Sequence, residues 1–205
     1  MSLEEISPFS TLQKYELISY PYYPRPPGNL TSWEEETLSL LEDVGAGAYF
    51  QIAPKSKQRR KLDSLYRAGL IYKYQLKGER SINISASKPY DNLKTLLKTL
   101  AFTQLVIKLK DFFPVQVFPG SNLIHAYITF NTKTFPVIVV RHGDNISMLP
   151  FLTNSLDRLI IVSETLYPEF NNISVPVRIV LDSDLVNSSL VFYLPDGRAE
   201  SIKAC

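Results

Sequence analysis

Cationic side chains recur between residues 53 and 88 at spacings that place several of them on one side of a helix. This stretch has ten lysines and arginines against two acids, a local excess of +8 in a chain of net charge +2. Ammonium, guanidinium and hydroxyl groups in one row can pair with phosphate oxygens, as in many nucleic-acid contacts. The alternative interpretation is a merely solvated helix face. The side chains that follow helical spacing are Lys57, Arg60, Lys61, Ser64 and Arg67.

The helix that carries this row is predicted to end at Gly69, because glycine readily takes the positive φ of a helix terminus. Leu62 and Leu65 fall on its opposite side and can enter a core. Residues 70–76 and 81–85 alternate apolar and polar side chains around a basic turn, which indicates a β-hairpin. We therefore predict that residues 55–67 read DNA and that the hairpin clamps its backbone, with these contact residues: Lys55, Lys57, Arg60, Lys61, Ser64, Arg67, Lys73, Lys77 and Arg80.

Two helices are predicted upstream of the basic one. Ser32 with Glu35 has the spacing of a capping box, and an apolar stripe follows it as far as Val44. Gly45 and Gly47 break that helix, and residues 48–53 can form a second, short one before Pro54. Three helices followed by a hairpin, with the third helix basic, is the winged helix-turn-helix arrangement, in which the third helix enters the major groove. We assign residues 31–90 to this domain.

Residues 1–30 form a separate zone rich in tyrosine and proline, which is predicted to be an extended arm. The arm either packs on its own protein through its tyrosines or binds a partner, including a second copy. No apolar run approaches the length of a membrane span, and no signal peptide is visible at the N-terminus. The one cysteine, Cys205, has no internal partner for a disulfide. We expect a cytoplasmic protein that does not contact membranes.

Residues 91–205 are predicted to form an α/β domain with a mixed sheet, so the whole chain is predicted to belong to the α+β class. A leucine-rich helix over residues 91–113 is followed by three strands, a helix, a strand, a short helix over residues 164–170 and a further strand. From residue 111 onward, nine acids outnumber six basic residues, so this half is a poor candidate for the main DNA surface. Residues 114–205 are therefore expected to mediate homodimerisation or to bind a protein partner.

Catalytic chemistry is thinly represented. The two histidines, His125 and His142, have no cysteine or carboxylate at ligand spacing, so no metal site is predicted. No phosphate-binding glycine motif occurs, and no cofactor is predicted. We assign no catalytic residue and expect the protein not to be an enzyme.

The segment RRKLDSLYRAGLIYKYQL resembles the recognition helix and wing of many winged-helix proteins. With the long helix and the α/β half behind it, residues 31–181 resemble the replication-relaxation proteins of plasmids and conjugative elements. That resemblance implies a second domain similar to restriction endonucleases. A nuclease of that fold holds a divalent metal with paired carboxylates. Residues 119–122 and 137–142 stand at the corresponding places without a carboxylate, and Asp144 has no evident partner, so we expect a catalytically degenerate domain.

Three function classes remain open. The favoured one is a non-enzymatic protein that binds double-stranded DNA as an accessory factor in plasmid or mobile-element replication or transfer, or as a transcriptional regulator. The second is a metal-dependent nuclease whose catalytic acids have migrated. The third is a protein-interaction module in which the winged helix binds protein.

Overall fold

The computed structural model describes residues 6–26, 28–187 and 190–201. They form six α-helices and two β-sheets, so the predicted α+β class is confirmed. The chain divides into an N-terminal unit, Lys14–Thr103, and a C-terminal unit, which combines Gln104–Cys205 with Met1–Gln13. The sequence placed boundaries after residues 30 and 90. The N-terminal unit instead includes half of the predicted arm and the beginning of the long helix.

The N-terminal unit builds a four-stranded sheet in which all neighbours are antiparallel. Its strands, in spatial order, are β1 (Glu16–Ser19), β3 (Tyr72–Lys77), β4 (Ile82–Ala86) and β2 (Ala46–Ala48). Strand β2 therefore lies at one edge beside β4, and β1 lies at the other edge beside β3. The last helix of the unit, α4, continues into the residues of the C-terminal unit. In chain order the elements are β1 (Glu16–Ser19), α1 (Ser32–Val44), β2 (Ala46–Ala48), α2 (Tyr49–Ile52), α3 (Ser56–Arg67), β3 (Tyr72–Lys77), β4 (Ile82–Ala86) and α4 (Leu93–Lys110).

Helix α1 begins at a capping box one residue earlier than we predicted. The backbone N–H and the hydroxyl of Thr31 both donate to Oε2 of Glu34, at 2.8 and 2.7 Å. The predicted pair, Ser32 and Glu35, has the same three-residue spacing, so the spacing alone did not distinguish the two registers. Ser32 is instead the first residue of the helix.

The predicted end of the basic helix and the hairpin after it are confirmed. Gly69 has φ +68°, and the N–H of Leu70 donates to the carbonyl of Leu65 at 3.0 Å, which satisfies a carbonyl in the last turn of α3. Strands β3 and β4 pair in a register that joins Leu76 to Ile82 across the turn.

Two strands of this sheet were not predicted. Strand β2 lies in Ala46–Ala48, where we had predicted a helix break and, at Ala48, the start of the second helix, and it pairs Ala46 with Ala86. Glycine and alanine show no alternation of apolar and polar side chains, so the sequence carried no strand signal there. Strand β1 lies within the predicted extended arm and pairs Leu17 with Leu76.

The C-terminal unit has a seven-stranded sheet in the order β11-β10-β9-β8-β7-β6-β5. Strands β7, β8 and β9 are parallel neighbours and the other pairs are antiparallel, which confirms the predicted mixed sheet. The elements are β5 (Gln116–Pro119), β6 (Ala126–Phe130), β7 (Lys133–Val139), α5 (Leu149–Leu152), β8 (Leu159–Ser163), β9 (Val177–Leu181), α6 (Asp182–Leu185), β10 (Val191–Tyr193) and β11 (Ala199–Ser201).

The three parallel strands are buried on both faces and supply the core of this unit, in which Ile138, Ile161 and Ile179 are at most 2 % exposed. The short helix predicted over residues 164–170 is wrong in its bounds. A 3-10 turn at Pro168–Asn172 takes its place, because proline is accepted only at the start of a helical turn. Cys205, for which no disulfide partner was found, lies outside the described residues.

Candidate functional site

Helix α3 presents the predicted row of polar side chains on an accessible face. Its opposite side is anchored by Leu62 and Leu65, which are 0 % and 2 % exposed. Lys55, just before the helix, is exposed as well. The side chains of this row are exposed except that of Lys61, which is partly buried. The row is called here the α3 cationic face and consists of Lys57, Arg60, Lys61, Ser64 and Arg67.

Lys61 is fixed against the start of α1. Its ammonium donates to the hydroxyl oxygen of Thr31 at 2.7 Å and lies 5.6 Å from the centre of the Trp33 ring. Hydrogen bonds from Thr31 hold the pKa of the Glu34 carboxyl below its usual value, so this acid stays charged beside Lys61. The capping box of α1 therefore positions one cation of the α3 cationic face.

Arg59 is not part of the α3 cationic face, and its side chain binds backbone carbonyls at the start of the helix. Its guanidinium donates to the carbonyls of Ala53 and Pro54, at 3.1 and 3.2 Å.

The tip of the β3–β4 hairpin carries two exposed cations, Lys77 and Arg80. The ring of Tyr15 packs against Gly78 in the turn. The two are so close that a Cβ atom added to Gly78 would lie 2.9 Å from Cδ1 of Tyr15. Burial raises the pKa of the Tyr15 phenol, and the nearby Arg80 opposes that rise. The β1 side of the sheet thus supports the tip.

Lys73 does not share this accessible position, which corrects its assignment as a DNA clamp. Its ammonium lies 2.7 Å from Oδ1 of Asp63, and its side chain is 20 % exposed. It also lies 5.4 to 5.9 Å from the ring centres of Tyr20, Tyr49 and Tyr66. We had read only its charge and its place on a hairpin strand, whereas the carboxylate and the rings come from three other parts of the chain: α2, α3 and the residue after β1.

Asp63 links three elements of the N-terminal unit. It accepts hydrogen bonds from Tyr49 of α2 at 2.9 Å and from Lys73 of β3 at 2.7 Å. Burial alone would raise the pKa of its carboxyl, but these bonds and the charge of Lys73 outweigh burial and lower it. Burial together with the bond to Asp63 raises the pKa of the Tyr49 phenol well above its ordinary value. Asp63 thus remains ionised and holds α3 against α2 and β3.

Searches of protein-family models, curated proteins and solved structures find no match to this chain. Within the described ranges, no helix is long and apolar enough to cross a bilayer. No group of three histidine, cysteine or carboxylate side chains is placed to hold a metal ion in that same part of the chain.

A second polar cluster lies in the C-terminal unit, at the carboxyl ends of its parallel strands. Arg141 follows β7, Glu164 follows β8 and Asp182 follows β9. Arg141 is 0 % exposed and Asp182 1 %, and Nη2 of the arginine lies 3.3 Å from Oδ1 of the aspartate. Burial raises the pKa of the Asp182 carboxyl despite this pairing. No sequence pattern predicted this convergence, since only the topology brings the three strand ends together.

The other acids around Arg141 accept backbone hydrogen bonds. Asp144, for which we had found no partner in the sequence, accepts from the N–H of Arg141 at 2.8 Å. Glu164 accepts from the N–H and hydroxyl of Thr11, at 2.5 and 2.9 Å, and from the N–H of His142 at 2.6 Å. Burial would raise the pKa of Glu164, but these donors lower it. Donors of the chain itself thus bind Asp144 and Glu164, whereas Nε of the buried Arg141 has no hydrogen-bond partner within the part of the chain that the structure describes.

Proposed function

We propose that this chain is a non-enzymatic protein that binds double-stranded DNA through a winged helix-turn-helix in its N-terminal unit. In this proposal α3 is the recognition helix in the major groove, and the β3–β4 hairpin is the wing that reaches the backbone. The order helix, strand, helix, helix, strand, strand supports it, as does the pairing of β2 with β4 at the far edge of the sheet.

The observation that carries the proposal is the exposure of the α3 cationic face beside a hairpin tip that also bears two exposed cations. Duplex DNA has a dense row of phosphates, and each phosphate neutralised by a lysine or arginine releases a counterion. Favourable binding therefore needs several cations that are free to approach one polyanion. Leu62 and Leu65 hold the helix down by its other side, which leaves this face accessible.

The residues have different proposed roles. In this proposal Arg60 and Lys61, in the middle of the helix, contact base edges, and Ser64 adds a hydroxyl donor. The remaining cations contact phosphates: Lys55, Lys57, Arg67, Lys77 and Arg80. The contact of Lys61 with Thr31 restricts the directions in which its ammonium points. Lys73 is left out of this surface, because Asp63 holds it.

The cellular role follows only from the resemblance. Similarity to replication-relaxation proteins supports an accessory role in plasmid or mobile-element replication or transfer, in the cytoplasm, and transcriptional regulation is the alternative for the same DNA contact. The acidic C-terminal unit would then bind a protein partner or a second copy through residues 114–205. Its similarity to restriction endonucleases also stays a proposal, and in that case the domain is catalytically degenerate.

Selection from random DNA duplexes, followed by gel shifts on the enriched sequence, tests this proposal. We expect a defined site, and a two-fold symmetric site would indicate a dimer. Arg60→Ala should weaken binding to it by about 1–3 kcal/mol and relax the preference at one position. Lys77→Ala should weaken all sequences alike. Failure to enrich any sequence together with unmeasurable binding to duplex would overturn the proposal, and magnesium-dependent cleavage would favour the nuclease.

A further inference from the structure

We propose that residues 14–25, called here the β1 segment, form a third DNA-contacting element whose cations are Lys14 and Arg25. This inference rests on the function proposed above. The β1 segment runs beside β3 from the hairpin tip to the end of α3, so it connects the two elements to which that function assigns the DNA contact.

At its first end the β1 segment lies against the hairpin tip. Glu16 pairs with Lys77 as β1 aligns antiparallel to β3. A Cβ atom added to Gly78 would lie 3.1 Å from the carbonyl oxygen of Lys14, so the backbone of Lys14 touches the turn. The Lys14 side chain is exposed, as is that of Lys77. A third lysine or arginine thus joins Lys77 and Arg80 at the tip.

At its other end the β1 segment is tied to the terminus of α3 by tyrosines. The hydroxyl of Tyr66 donates to the carbonyl of Pro21 at 2.6 Å, and the hydroxyl of Tyr22 donates to the carbonyl of Gly69 at 3.0 Å. The ring of Tyr22 also stacks on that of Tyr72, with 3.9 Å between their centres. Contacts from both α3 and β3 therefore fix the path of the segment.

The closest approach is at Gly69. A Cβ atom there would lie 2.0 Å from the carbonyl oxygen of Tyr23 and 2.9 Å from the backbone nitrogen of Arg25. Only a residue without a side chain lets the segment pass this close, and the φ of +68° is unfavourable for other residues as well. Arg25 thus lies directly beside the helix end that carries Arg67, and both side chains are exposed.

The prolines make the second end stiff. Pro24 and Pro26 flank Arg25 and fix φ near −65°, which favours an extended backbone. A cation on a stiff segment loses little conformational entropy when it meets a phosphate, so its contact is stronger than that of a cation on a loose tail. Lys14 and Arg25 therefore extend the positive surface at both of its ends.

Salt-dependent binding to a fixed duplex, measured by fluorescence anisotropy on the full chain, tests this inference. Lys14→Ala and Arg25→Ala should each reduce the slope of log affinity against log salt by about 1 and weaken binding about three- to eightfold at 0.1 M salt. Glu16→Gln removes an acid from the same segment, so it should instead tighten binding.

Lys88→Ala is the matched control. Lys88 is an exposed lysine of the same unit and lies near Gly45, at the C-terminal end of α1. Lys61 contacts Thr31 at the other end of that helix, so Lys88 lies away from the α3 cationic face. Its removal should leave the slope unchanged. Far-ultraviolet circular dichroism of each variant checks that the fold is retained.

The outcomes separate the two proposals. If Arg60→Ala weakens binding while Lys14→Ala and Arg25→Ala both behave like Lys88→Ala, the β1 segment does not contact DNA and this inference is overturned. If the unmodified chain shows no salt-dependent binding to any duplex, the proposed function itself fails.

Discussion

The partner of each lysine determines what that lysine can do in the N-terminal unit. Lys61 donates to a neutral hydroxyl, lies near an aromatic ring and has the charged Glu34 close by, so α1 orients its ammonium. Lys73 contacts the carboxylate of Asp63, so its charge is neutralised within the fold. Two side chains of the same type in one basic stretch thus differ in their partners, and only Lys61 belongs to the proposed DNA surface.

Lys73→Ala should therefore lower the free energy of unfolding of the N-terminal unit, by about 1–2 kcal/mol. The substitution removes a charge-assisted hydrogen bond and the contacts of a cation with three rings. Urea unfolding followed by circular dichroism measures the change. Lys77→Ala, at the exposed hairpin tip, is the comparison and should leave stability within about 0.5 kcal/mol of the unmodified chain. Equal stability of both variants would contradict the structural role of Lys73.

The buried pair Arg141 and Asp182 should respond differently to single and double replacement. Arg141→Met leaves the carboxyl group of Asp182 buried without its cation, so that group must either carry an unpaired charge or take up a proton, and the free energy of unfolding should fall by up to about 3–5 kcal/mol. Replacing Asp182 with leucine in the same chain removes that unpaired polar group and should recover most of the loss. Thermal unfolding of the single and double variants measures this coupling, and a double variant less stable than the single one would contradict it.

At the scale of elements, the position of α3 depends on contacts from three directions. Asp63 ties it to α2 and β3, Lys61 ties it to the start of α1, and Tyr66 ties it to the β1 segment. These contacts leave the α3 cationic face exposed except at Lys61, which is partly buried.

The anchor at Asp63 should make stability depend on pH in acid. The folded state lowers the pKa of this carboxyl, so its contribution is present above the unfolded value of 3.8 and is lost as pH falls through the folded pKa. Asp63→Asn lacks that titration. The stability difference between the unmodified chain and this variant should be largest at pH 5 to 7 and should shrink below about pH 4. A difference that stays constant from pH 7 to pH 2 would show that Asp63 does not titrate as described.

Strong local patterns made α3 and the β3–β4 hairpin predictable from sequence. The helical spacing of the cations, the glycine at 69 and the alternation in residues 70–76 each depend on neighbours along the chain. Contacts between distant segments left no such pattern. The residues next to Lys73 in the chain did not indicate its contact with Tyr20, which follows β1. The residues next to Arg141 likewise did not indicate its ion pair with Asp182. The capping register at Thr31 was missed because two overlapping pairs had the same spacing.

At the scale of the whole molecule, charge is divided between the two units. The basic stretch belongs to the N-terminal unit, whereas acids outnumber basic residues nine to six from residue 111 onward. A polyanion is attracted by the first and repelled by the second. We therefore propose that the N-terminal unit contacts DNA and that the C-terminal unit contacts a protein partner or a second copy of the chain.

The salt dependence of binding to duplex DNA shows whether the exposed cations of α3 and the hairpin meet phosphates. With about four to six phosphate contacts, log affinity against log salt should fall with a slope of about −4 to −5. A flat response would contradict the account and would indicate that this surface binds protein.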